Sequence, residues 1–265
     1  MNFRIREKVG TAVLICGVGA AILLCASPAG AQTWVNSPDG NWNTASNWSP
    51  ASVPDSASAN ATFGASSVPV ANLNADVDLD SLVLTSAAPS YTVVNNGHAL
   101  SFDGAGILNQ STSTLTLDNA GSGSLNFNGS STAGNANIFN ADTGSTLTFA
   151  DSSSAGNGAV TNNGSLVFES YATAGSAAIT SVGGASVSFN DGSSAGHSTI
   201  INSGSLNFTG DNAVTSATAG NADITNNGGS VTFGDGSTAG SATIHNDGLL
   251  VFSGDDAVTF SSAGS

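Results

Sequence analysis

Beyond residue 31, this chain of 265 residues contains no lysine, no arginine and no cysteine. Its three cations (Arg4, Arg6 and Lys8) and its two cysteines (Cys16 and Cys25) all lie in the opening segment. Glu7 is the single acid there, so the remainder keeps 17 acidic residues and a formal charge of −17. Each absence excludes something. Without cations no phosphate can be neutralised and no counterions released, which rules out nucleic acid as a partner. Attraction to anionic lipid headgroups fails for the same reason. Without cysteines there is no disulfide, and stability must come from packing and backbone hydrogen bonds.

The opening segment itself reads as a secretory signal peptide. A basic start is followed by the apolar run Val9 to Leu24, and Ala29-Gly30-Ala31 offers a small-x-small cleavage site before Gln32. The run is short against the roughly 20 residues of a membrane span, so the mature chain is expected to have none. Leu24 precedes Cys25 where a lipid-attachment site wants a small residue, which argues against a lipid anchor.

High charge with abundant Ser, Gly, Asn and Ala is also the composition of disorder. The pattern of the chain opposes that reading. DGSSAGHSTIINSGSLNF (Asp191 to Phe208) returns as DGSTAGSATIHNDGLLVF (Asp235 to Phe252), with eleven of eighteen positions identical. An Ala-Gly pair recurs with its glycine at Gly134, Gly156, Gly175, Gly196, Gly220, Gly240 and Gly264, at steps of 19 to 24 residues. Four residues after each glycine through Gly240 stands Ile138, Val160, Ile179, Ile200, Ile224 or Ile244. Two residues further stands Asn140, Asn162, Ser181, Asn202, Asn226 or Asn246. A turn follows, then an alternating pair such as Leu147/Phe149, Val187/Phe189 or Leu250/Phe252.

Each unit therefore holds two short segments of period two, joined by Asn/Gly-rich turns. One unit cannot fold alone. Ordering about 20 residues costs on the order of 30 kcal/mol, and three large buried side chains return only about 2 kcal/mol each. Stacking reverses the balance, because neighbouring coils satisfy each other's backbone and extend one apolar column. The sequence predicts an all-β fold: a parallel β-solenoid (β-helix) of about nine coils of 19–25 residues. Residues 32–75 form a Trp-containing capping segment and residues 76–265 the repeats, whose C-terminal end is expected to be uncapped. VDLDSLVL (Val77 to Leu84), YTVVNNGHALSF, STLTL and GSLNF read as degenerate early coils. Counting coil ends at Phe102, Leu117 and the seven later Phe residues gives nine.

The regular polar columns are the candidates for chemistry. The Asn column reads as an internal amide ladder, with a ligand-facing row as the alternative. Two residues after the Phe column stand Gly129, Asp151, Ser170, Asp191, Gly210, Asp235 and Gly254. Acids on alternate coils read as charge tolerated at a turn, because a calcium site needs several oxygens converging on one point. A five-residue insertion after Phe208 and again after Phe252 pairs Asp211 with Asn212 and Asp255 with Asp256, where weak divalent binding could arise. His98, His197 and His245 fall at variable, outward positions and are too few for a metal array. Lyases that abstract a proton beside a uronate usually want a basic residue, and residues 32–265 have no Lys or Arg. A glycosidase wants two carboxylates about 5 to 10 Å apart in a cleft, and none stands out. No catalytic, cofactor-binding or metal-binding residue is assigned. A face suited to ice or mineral needs regular Thr or Asp, and Thr-x-Thr occurs only sporadically.

All three tryptophans (Trp34, Trp42 and Trp48) lie between Thr33 and Phe63. They read as a plug over the open end of the apolar column, with a sugar-stacking platform as the alternative. Trp34, Gly40-Asn41-Trp42, Ala45-Ser46-Asn47-Trp48-Ser49, Val53-Pro54-Asp55 and Ala61-Thr62-Phe63 resemble the opening of bacterial autotransporter passenger domains. The SSAGxAxIxNxGxLxF units are similar to the β-strand repeats of the same proteins. The resemblance implies that the solenoid is right-handed, a β-helical passenger displayed at the outer membrane or shed from it, acting as stalk or adhesin. It implies a glycan or other surface ligand as partner; separately, the open C-terminal coil is expected to be an unprotected strand edge through which further copies associate. The family's C-terminal membrane barrel is not in this sequence. The competing expectation is a carbohydrate-active β-helix enzyme or a glycan-binding module.

Overall fold

The computed structural model describes residues 30–35, 39–210 and 215–253. The first strands are β1 (Ala31–Trp34), β2 (Trp48–Ser49), β3 (Asn60–Phe63), β4 (Val70–Asn72), β5 (Val77–Leu84), β6 (Tyr91–Val94) and β7 (Ala99–Asn109). The next are β8 (Leu115–Asn119), β9 (Ser124–Phe127), β10 (Asn137–Asn140), β11 (Thr146–Phe149), β12 (Ala159–Asn162), β13 (Ser165–Phe168) and β14 (Ala178–Ser181). The last are β15 (Ser186–Asn190), β16 (Thr199–Asn202), β17 (Ser205–Thr209), β18 (Asp223–Asn226), β19 (Ser230–Gly234), β20 (Thr243–Asn246) and β21 (Leu249–Phe252).

These strands deal alternately into two sheets. One is ordered β2-β1-β3-β5-β7-β9-β11-β13-β15-β17-β19-β21, and the other runs from β4 through every even-numbered strand to β20. Apart from the antiparallel β1–β2 pair, every strand pairing is parallel, and each strand bonds to the strand one coil away. That is a parallel β-solenoid. The nine strands of the shorter sheet give nine coils, 19 to 24 residues apart in the register Ala71–Val93–Leu117–Ile138–Val160–Ile179–Ile200–Ile224–Ile244. At about 4.8 Å per coil the stack is roughly 40 Å long.

Leu117 belongs to this Ile column and not to the Phe column, so it does not end a coil. The count still reaches nine because β4 is already the first rung of its sheet. β3 and β4 lie within residues 32–75, so the two sheets reach back into the tryptophan-bearing segment.

Four-residue strands suffice because each needs only two inward side chains. In xIxN the inward pair is Ile and Asn, and in xLxF it is Leu and Phe. A third side of each coil is a single bridging residue in the series Gly106–Thr132–Ser154–Thr173–Ser194–Thr218–Thr238. The inward neighbours there are small, namely Ala133, Ala155, Ala174, Ala195, Ala219 and Ala239, all fully buried.

The corners explain the invariant Ala-Gly pair. Gly134, Gly156, Gly175, Gly196, Gly220 and Gly240 all have φ between 58° and 71°, the left-handed region that L side chains avoid. Space forbids a side chain as well: a Cβ on Gly156 would lie 2.0 Å from the carbonyl oxygen of Gly134 in the coil below.

Candidate functional site

The asparagine column lies inside the molecule. Asn119, Asn140, Asn162, Ser181, Asn202 and Asn226 are all at most 1% exposed. Each amide donates to the amide oxygen of the next coil: Asn119 to Asn140 at 2.6 Å, Asn140 to Asn162 at 2.7 Å, Asn202 to Asn226 at 2.9 Å and Asn226 to Asn246 at 2.7 Å. Asn95 starts the row by donating to Asn119. The second N–H reaches a backbone carbonyl of the following coil, for example Ser165 O from Asn140 at 2.9 Å and Ser186 O from Asn162 at 2.8 Å. No ligand can reach the row from Asn119 to Asn226, which is a ladder and not a recognition face; Asn246, the last member of the column, is exposed. Ser181 interrupts it. Asn162 stands 3.5 Å from the Ser181 hydroxyl, at the limit of a hydrogen bond.

The column after Phe has a backbone cause. Gly129, Asp151, Ser170, Asp191 and Asp235 have φ of 61°, 57°, 60°, 54° and 49°. In these five coils the position is left-handed, which short polar side chains tolerate and bulky ones do not, whereas Gly210 of the same column is not left-handed. Charge at a tolerant turn is the sequence reading; the structure adds that φ selects the residue type.

The bridging hydroxyls form a column that the sequence reading left unassigned. Oγ of Thr132, Ser154, Thr173, Ser194, Thr218 and Thr238 accepts the N–H of the Ala-Gly glycine two residues on, at 3.0 Å in each of these six coils. The recurring Ser/Thr-Ala-Gly triplet was its signal.

The three tryptophans are buried, at 2%, 0% and 2% exposure for Trp34, Trp42 and Trp48. They pack edge to face (Trp34–Trp48 at 5.0 Å and 74°, Trp42–Trp48 at 4.8 Å and 66°) above Phe63, which in turn meets Tyr91. Every indole N–H is bonded to a backbone carbonyl: Trp34 to Val68, Trp42 to Pro54 and Trp48 to Trp42. Sugar stacking requires an open ring face, and none of these rings offers one. Tyr91 donates to Gly64 O at 2.9 Å, and burial holds its hydroxyl above the usual tyrosine range.

The histidines do not converge. His98 Nδ1 lies 3.6 Å from an Asp76 carboxylate oxygen, His197 Nε2 lies 3.1 Å from the Asn221 amide, and His245 is exposed on β20. Among the described residues, no three of His, Cys, Asp and Glu are placed to hold a metal. The inserted-loop residues Asp211 and Asn212, and Asp255 and Asp256, lie outside the described residues. A void of about 10 Å³ between Val93, Asn95, Leu100, Leu117 and Leu125 has room for no more than one water.

Charge is sorted by position. Along β9 to β19 the outward residues of the longer sheet are Ser124, Asn126, Thr146, Thr148, Ser165, Val167, Ser186, Ser188, Ser205, Asn207, Ser230 and Thr232. None is charged. Asp142, Asp151, Glu169, Asp191, Asp235 and Asp247 occupy the corners instead. The shorter sheet carries Asp118 and Asp223, with Phe139 and Ile201 exposed at 46% and 40%. Asp118 is held above the ordinary carboxylate range, first by burial and then by the neighbouring Asp142. No helix of the described residues is long and apolar enough to cross a membrane.

The arrangement thus offers an uncharged outer side on the longer sheet from β9 to β19, acidic corners and an interior in which every regular column holds its neighbour. Comparison with protein-family models, with curated proteins and with solved structures returns no match.

Proposed function

We propose that this chain is exported and serves at the cell surface as a structural rod, a stalk or adhesin of the autotransporter-passenger kind. The supporting observation is that the recurring residues are used up in building the coil. Ile, Leu and Phe fill the core, Asn and Ser/Thr bond the coils, and Gly and Asp make the corners. A chain spent in this way works by shape and surface, without turning over a substrate. Its strong negative charge keeps the rod soluble and apart from anionic polymers. The reading as a sugar-cleaving enzyme or glycan-binding module draws no support from the tryptophans, which are plugs.

Export has a direct test. Expressed in a Gram-negative host with its full N-terminus, the protein should lose residues 1–31, so that the intact mass begins at Gln32, and should be cut by protease added to whole cells. Recovery in the cytoplasm with Met1 or Asn2 at its start would overturn the proposal. For self-association, the relevant edge among the described residues is that of β20 and β21, the outermost strands of their sheets, where Leu249 and Phe252 are 59% and 39% exposed. Unpaired strand edges recruit further strands, so sedimentation of the purified protein should show concentration-dependent growth. A Leu249→Lys variant should reduce it.

A further inference from the structure

We draw no further inference here: the strongest candidate, the flat and charge-free outer side of the longer sheet between β9 and β19, is a stripe of short hydroxyl and amide side chains, and nothing in the structure shows what covers it.

Discussion

At the amino-terminal end of the apolar column, aromatic rings meet edge to face; along the coils, the same kind of ring lies flat on the next. Trp34, Trp42, Trp48, Phe63 and Tyr91 are joined by contacts of 31° to 77° between ring planes. From Phe102 to Phe252, eight phenylalanines stack with centroids 4.6–5.0 Å apart and planes within 14° of parallel. Strand spacing sets the second geometry. When every coil adds one ring in one rotamer, the ring repeat must equal the backbone repeat of about 4.8 Å. The small angles between successive planes mean that the sheets barely twist, which side-chain ladders of this type stabilise. The plug faces no such constraint. It has to fill an irregular end, and edge-to-face packing of large rings does so while its N–H groups reach carbonyls.

The comparison can be broken from either side. Trp42→Ala and Phe168→Ala each empty a fully buried site and should each cost about 3–5 kcal/mol in urea unfolding. The two should differ in reach. Loss of Trp42 should first expose amides of β1 to β4 to hydrogen exchange, whereas loss of Phe168 should act on the coils on either side of it. Identical exchange patterns would mean that plug and stack form one indivisible unit.

Gly156→Ala addresses the stack without touching a ring. It combines a left-handed φ of 71° with a Cβ 2.0 Å from a carbonyl oxygen. A cost on the order of 3 kcal/mol is expected, measured by the same unfolding curve. The control, Asp151→Gly, should leave stability within about 1 kcal/mol of the parent, because glycine meets the left-handed φ without strain.

The ladder can be improved. Ser181→Asn should join the row from Asn95 to Asn162 with the row from Asn202 to Asn246, adding about 1 kcal/mol. A loss of stability instead would show that the site around Ser181 has no room for the larger side chain.

The smallest effect is electrostatic. The carboxyl of Asp118 is raised in the folded state by burial and by Asp142. The folded form therefore binds its proton more readily than the unfolded form, and stability falls as pH rises from the ordinary carboxylate range through the raised value. Asp118→Asn should flatten that part of the pH profile and raise stability slightly at neutral pH. An unchanged profile would remove Asp118 from the account.

Much of this was legible in the residues. The spacing of Ile, Asn, Leu and Phe gave both strands of every coil and which side faced inward, because period two and a fixed step leave one register. Val77 to Leu84 and the three segments after it were readable as early coils by the same alternation. Two features were not. Thr132 and its successors bridge through one residue per coil; the Ser/Thr-Ala-Gly triplet recurs there, but one residue is too short for period two to mark it as a strand. Leu117 looks like the end of an xLxF strand in STLTL, yet it stacks on Ile138. Only the neighbouring coil decides between the two columns. The candidate site was harder. Asn and Trp are residues that also bind ligands, and their burial is a property of the assembled stack.

The sequence by itself determined the repeat, the all-β stacking and the acidic, cysteine-free character of residues 32–265, because composition and period are local facts that each coil carries. The tertiary structure decided which polar columns point inward, which acids sit on left-handed corners and how the tryptophans close the end. Those outcomes depend on contacts between residues about twenty positions apart, which exist only once one coil lies on another.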